Sequence, residues 1–308
     1  MEWMTKVDIT RAEKQIGYQD KILLLGSCFA DNMGAKFAEH YFQATANPYG
    51  TLYNPASIAV AIANSQQPLS DHRILQHNGM WHSMMHHGSF SHPEKAEVLK
   101  RTKESQEVLR LALQETTTII VTFGTAWVYE LEGEIVANCH KLPPKAFGRR
   151  RLTVEDILAL WRPILQQMPD KHWIFTVSPI RHIKDGLHEN QVSKAILLQA
   201  IEQIKQSGVG GMLSYFPSYE IMIDELRDYR FYAEDMVHPS SQAVEYIWQR
   251  FVDTYTNKDT QNQMRVLNQL WRDQHHTLLH PESDEAQAFL QRLEQRKLHL
   301  QTTYPWIE

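Results

Sequence analysis

Ile22-Leu23-Leu24-Leu25-Gly26-Ser27-Cys28-Phe29-Ala30 begins with four consecutive apolar residues and ends on a Gly-Ser pair that leads into a helical pattern. A short, continuously apolar run of this kind predicts a strand buried on both faces, as in a parallel sheet covered by helices. Past the turn, Ala30, Met33, Phe37 and Tyr41 step by three and four residues, which predicts a helix with one apolar face. The alternation continues outward. Thr118–Phe123, Trp173–Val177 and Met212–Tyr215 read as further buried strands, and Leu197, Ile201 and Ile204 mark a helix that Gly208 stops. Other helical signals fall near 95–115, 153–167 and 240–254. Strands alternating with helices predict an α/β fold, a five-stranded doubly wound parallel sheet whose site lies at the carboxyl ends of the strands.

The chain has 308 residues, 31 Lys+Arg against 36 Asp+Glu, and a formal net charge of −5, with 43% hydrophobic residues. That length and apolar content support a substantial core, so overall disorder is a poor reading. Basic residues are scattered, which argues against nucleic-acid or anionic-membrane partners. The two cysteines, Cys28 and Cys139, have no CxxC spacing and indicate neither a disulfide framework nor a thiolate metal site. The N-terminal stretch Met1–Asp8 lacks the apolar run of a secretory signal, and no spanning segment appears, so the expected location is the cytoplasm. One domain over residues 1–254 is expected to carry two insertions, at 44–93 and 124–151, rich in Pro, Gly, Asn and His and suited to building a pocket. Residues 255–308 read as a helical extension packed on that domain, with helices around 258–276 and 283–299 and with Leu270, Trp271, Leu278 and Leu279 facing the body.

Ser27 falls where the first strand meets a helix N-terminus, a place that favours developing negative charge and suits an acyl-transfer nucleophile. An N-capping role is the alternative. Glu234-Asp235-Met236-Val237-His238-Pro239-Ser240 adds a second feature. An Asp three residues ahead of a His can hold the imidazole through Nδ1–H and leave Nε2 to take the serine proton. Pro239 suits the first turn of the helix that follows, and a surface pair capping that helix is the competing reading.

Gly26-Ser27-Cys28-Phe29-Ala30 and Asp235-x-x-His238 together resemble the SGNH/GDSL-like hydrolases, and within them the GSCFA group named for the first motif. Similar stretches are Asn47–Pro55, Thr122–Trp127, Asn138–Lys141 and Val177–His182, so the resemblance spans nearly the whole chain. It implies a flavodoxin-like fold, the SGNH hydrolase fold, with Ser27, Asp235 and His238 as a catalytic triad. It also implies an oxyanion hole built from the Ser27 amide, a Gly in a second block and an Asn in a third. The second-block donor would be the amide of Gly50. In the third block this chain has Gly124-Thr125-Ala126-Trp127 and no Asn. Thr125 would then donate, or Asn47, Asn54 or Asn138 would reach in. Losing one such donor costs about 10² to 10³ in turnover.

The His-rich stretch Trp81–His92 lacks the ligand spacing of a zinc site and is expected to line a pocket, with His86 or His87 touching substrate. Trp127, Asn138 and His140 join Asn47, Asn54 and His87 as expected substrate contacts. Arg181 would clamp a carboxylate or phosphate through paired N–H groups, or else serve a structural ion pair. No metal and no cofactor are expected. The functional expectation is a serine esterase deacylating a carbohydrate or other small polar ester through an acyl-enzyme. An acyltransferase with the same triad and a non-catalytic glycan- or protein-binding module are the rivals. The sequence leaves oligomeric state open.

Overall fold

The structure, a computed structural model, describes residues 4–67 and 73–307. Met1–Trp3 of the N-terminal stretch and residues 68–72 of the first insertion lie outside it. In chain order the strands are β1 (Lys21–Gly26), β2 (Gln43–Ala46), β3 (Ile74–His77), β4 (Met80–Ser83), β5 (Thr118–Phe123), β6 (Trp127–Leu131), β7 (Glu134–Val136), β8 (Phe147–Arg151), β9 (His172–Val177) and β10 (Met212–Phe216). The helices are α1 (Cys28–Glu39), α2 (Pro55–Asn64), α3 (Lys95–Glu115), α4 (Val154–Gln167), α5 (Leu187–Gln206), the short α6 (Ser218–Glu220), α7 (Ser241–Tyr255), α8 (Lys258–Gln274) and α9 (Asp284–Gln301).

Five strands form one parallel sheet in the order β2-β1-β5-β9-β10. This is the flavodoxin-like 2-1-3-4-5 order, with its switch point between β1 and β5. Alternation along each strand splits the core into two layers. Leu23, Leu25, Ile119, Val121, Phe175 and Val177 pack with residues of α2, α3, α4 and α5 on one face. Ile22, Leu24, Ile120 and Ile174 pack with α1, α7 and α8 on the other. Because both layers are apolar, the central strands read as unbroken hydrophobic runs.

The two insertions are more ordered than their composition suggests. The first contains the edge strand β2, helix α2 and the antiparallel hairpin β3-β4, and the second folds into the antiparallel sheet β7-β6-β8. α8 and α9 close the chain. Leu270, Tyr304 and Ile307 are buried with the α1/α7 layer, Trp306 Nε1 donates to the Tyr41 carbonyl, and Asn268 donates to that of Glu39. Leu279, expected against the body, is instead 88% exposed, in the loop between α8 and α9. Among the described residues no helix is long and apolar enough to cross a membrane.

Candidate active site

Ser27 follows β1 directly, at the switch point. Gly26 just before it has φ +141°, and a Cβ there would sit 2.2 Å from the Thr122 carbonyl oxygen, so the close strand approach admits only glycine. Asn47, at φ 41°, braces this turn: its Oδ1 accepts from the Gly26 amide at 2.8 Å and its Nδ2 donates to Asp31 at 2.7 Å. Asn47 therefore shapes the Gly26–Ser27 turn and does not line the cavity described below. Ser27 occupies the N-cap position of α1, yet its hydroxyl makes no capping bond and, though buried, has no hydrogen-bond partner. The capping alternative for Ser27 thus finds no bond to support it.

The segment 232–240 turns back on itself. Tyr232 bridges Pro239, the Ala233 amide donates to the His238 carbonyl, and Met236 adopts φ 58° at the tip. Asp235 Oδ1 accepts from the amides of Val237 and His238, and Oδ2 accepts from His238 Nδ1 at 2.6 Å. Those amide bonds and the imidazole bond hold the Asp235 carboxyl down to about 2. α7 is capped by Ser240, whose Oγ accepts from the Ala243 amide, so the Asp235–His238 pair has no capping role. Pro239 precedes that cap and lies outside the first helical turn. His238 Nε2 faces the Cys28 thiol at 3.8 Å, and no hydrogen bond joins it to Ser27 in this resting arrangement.

Ser27, Cys28 and His238 line one cavity of about 700 Å³ together with Asn54, His87, Thr125, Trp127, Asn138, Arg181 and His182. Buried polar atoms without partners concentrate here. Of nine such side-chain atoms among the described residues, four belong to this lining: Ser27 Oγ, Trp127 Nε1, Arg181 Nε and His182 Nε2. Native interiors rarely leave such atoms unpaired, so their clustering marks a place where a ligand completes the bonding. Arg149 sits over Trp127, its Cζ 4.1 Å from the ring centre, and pairs with Asp185, and Lys184 donates to Tyr129. One wall is thus aromatic and cationic on an acidic protein.

Sequence reasoning missed the device beneath the cavity. α5 presents Asn190, Ser193 and Lys194 on one buried face. Asn190 Oδ1 accepts from the His182 amide, Ser193 Oγ accepts from the Ala126 amide, and Lys194 Nζ donates to the carbonyls of Gly124 and Ser178 at 2.7 Å each. The loops after β5 and β9 are therefore both fixed from one helix. Burial without a carboxylate partner pushes the Lys194 ammonium down to about 7. His182, likewise depressed by burial and then by the charges of Lys194 and His238, falls to about 3 and is neutral.

The expected oxyanion donors are engaged elsewhere. The Ser27 amide donates to Thr122, that of Gly50 to Asn47, and that of Thr125 to Tyr53. The Thr125 hydroxyl pairs with Ser193 and accepts from the Trp127 amide. Asn54 lines the cavity; its Oδ1 caps α2, leaving Nδ2 uncommitted. Asn138 also lines it, with Oδ1 holding the His140 amide. His140 turns away instead, bonding the Ser83 carbonyl and stacking on His82, and burial lowers it to about 4. His87 reaches the cavity, whereas His86 is fully buried against Tyr49 and Ser83. Arg181 has no carboxylate partner among the described residues. It stacks on Tyr232 at 4.3 Å and donates to the Met236 carbonyl, bracing the loop that carries His238. No group of three or more His, Cys, Asp or Glu side chains suited to a metal occurs among the described residues.

A model of the GSCFA family matches residues 21–251. The chain belongs to the GSCFA family. The match covers the parallel sheet, the Gly26–Ala30 turn and the Asp235–His238 loop, and stops within α7. Among solved structures, one described as BT4096, a gut microbial diltiazem-metabolizing enzyme, is similar at 11% identity and a TM-score of 0.40, covering 80% of this chain. This chain spans about half the length of that enzyme, 48%. A search of the curated proteins finds no match.

Proposed function

We propose that this GSCFA-family chain is a serine esterase that deacylates a carbohydrate or other small polar ester. One observation carries the reading: an unpartnered, non-capping serine hydroxyl shares a cavity with a histidine whose Nδ1 is held by a carboxylate. His238 Nε2 takes the Ser27 proton as Oγ attacks the ester carbonyl. The tetrahedral intermediate collapses, the C–O bond of the ester breaks, and the alcohol leaves with the proton from His238. Water, deprotonated by the same nitrogen, then releases the acid and restores Ser27. Asp235, ionised throughout, keeps the ring in the tautomer with Nδ1–H and stabilises the imidazolium. The aromatic and cationic wall of Trp127, Tyr129, Arg149 and Lys184 supports a ring-bearing polar substrate.

A second reading has its own support, since the Cys28 thiol is the group that His238 Nε2 meets at rest. Burial raises the Cys28 thiol, so the thiolate nucleophile is disfavoured and the S–H donates to Nε2. An aryl phosphonate that labels activated nucleophiles tests the choice. Peptide mapping is expected to find the adduct on Ser27. An adduct on Cys28, or none on a protein that still turns over esters, overturns the assignment.

A further inference from the structure

A serine esterase needs hydrogen-bond donors where the carbonyl oxygen gains charge. The amides of Ser27, Gly50 and Thr125 are committed to Thr122, Asn47 and Tyr53, so none of the expected backbone donors is free and a side chain lining the cavity is the source sought. Gly124 locates it. A methyl group placed on Gly124 would lie 3.2 Å from Ser27 Cβ and 3.3 Å from His182 Nε2, so Ser27 and His182 border the same narrow gap, which the Tyr53 carbonyl oxygen, 2.7 Å from that position, closes on a third side. Both the Ser27 hydroxyl and His182 Nε2 are buried without a partner. His182 is anchored at its backbone, where Asn190 accepts from its amide at 2.9 Å, and the Tyr53 ring meets the imidazole edge-on.

We infer that His182 is the side-chain oxyanion donor, its Nε2–H pointing at the developing negative oxygen on the ester bound to Ser27. The inference rests on the serine-esterase reading and adds to it a catalytic residue outside the triad. A neutral imidazole suits the role. It donates a hydrogen bond without releasing a proton to the ester, and burial and the neighbouring Lys194 ammonium keep it neutral. The ring therefore carries one proton, and the inference places it on Nε2. Lys194 acts as a positioning residue, drawing the Gly124 and Ser178 carbonyls inward so that the loops carrying the space and the imidazole meet.

The test compares His182→Ala and His182→Gln with the unaltered protein on an aryl acetate, alongside binding of an alkyl boronic acid, which mimics the tetrahedral intermediate. His182→Ala is expected to lower kcat by ~10² to 10³, with KM within a few-fold and an unchanged shape of the pH-rate profile. Boronate affinity should fall by a similar factor. His182→Gln, which restores an N–H donor, should recover at least about tenfold of the lost rate, and it serves as the primary variant if His182→Ala folds poorly. A rate within about threefold of the unaltered protein for His182→Ala overturns the inference, as does a displaced pH profile, which would make His182 the base. Equal losses in both variants with unchanged boronate binding indicate packing alone and also overturn it. Phosphonate labelling of Ser27 in the unaltered protein separates the two levels. Its failure refutes the esterase reading, whereas labelling with an indifferent His182→Ala refutes only the donor.

Discussion

Replacing Ser27 and Cys28 one at a time asks which neighbour His238 serves. The two side chains are adjacent at the first turn of α1 and line the same cavity, but only the thiol contacts Nε2, at 3.8 Å. A neutral hydrogen bond contributes about 1 kcal/mol, and a sulfur donor at this distance no more. For Ser27 to react, His238 must leave that contact, so the thiol raises the barrier by at most about 1 kcal/mol, or about fivefold in rate. Cys28→Ala is therefore expected to raise kcat by a factor between one and about five. Ser27→Ala should lower it by at least ~10³, because no oxygen nucleophile replaces it. Release of nitrophenol from an aryl acetate measures both, with intact mass before and after substrate reporting the acyl-enzyme. A Cys28→Ala protein that loses ~10³ while Ser27→Ala retains its rate would refute the reasoning and make the thiol the nucleophile.

Asp235, held near 2 by two amides and the His238 ring, is expected to show that midpoint in a carboxyl carbon NMR titration. Since its folded value is depressed, the stability it contributes is complete above the ordinary aspartate value of about 4 and is lost as pH falls toward 2; a midpoint near 4 would refute the bonding pattern. Gly124→Ala puts a Cβ 2.7 Å from the Tyr53 carbonyl oxygen and into the space between Ser27 and His182. It should cost about 1 to 3 kcal/mol in denaturant unfolding and abolish most ester turnover, and a variant with normal stability and rate would count against the described approach of the two loops. Lys194, lowered to about 7, binds a proton in the unfolded chain that the folded chain has lost between pH 7 and 9. Stability of the unaltered protein relative to Lys194→Met should therefore rise with pH over that window, on the order of 1 kcal/mol per pH unit; a flat difference in urea melts would show the ammonium to be well solvated.

How much of this was legible depended on whether a role is set locally. β1, β5 and β9 are buried on both faces, so their apolar runs declared them, and the order of strands and helices then led to the parallel sheet. β2 escaped notice because Gln43-Ala44-Thr45-Ala46 is a four-residue edge strand, half-buried throughout, whose pairing to β1 is visible only in three dimensions. The Asp235–His238 geometry was readable from its spacing, since one turn of chain forms it. Oxyanion donors were not. Whether the Gly50 or Thr125 amide is free depends on the carbonyl opposite, Asn47 or Tyr53, and no motif states that. In Ser178–His182 the sequence drew attention to Arg181, while the geometry directs its neighbour His182 toward Ser27 and uses Arg181 to brace the loop of His238.

A signal for the missing machinery did exist in α5. Asn190, Ser193 and Lys194 continue, at helical spacing, the same stripe as Leu197, Ile201 and Ile204, and all six are buried. Three polar residues on the sheet-facing side of a helix have to find partners or lose stability. Helices in a doubly wound fold start near the carboxyl ends of the strands, so polar residues in the first turns of such a stripe have loop backbone as their available partners. Lys194 meets this demand with the Gly124 and Ser178 carbonyls and no carboxylate, which leaves under the cavity a buried amine that holds its proton weakly. A polar triplet at the N-terminal end of a buried stripe is thus a readable sign of loops being clamped for a purpose, and here the clamped loops are those that bring His182 to Ser27.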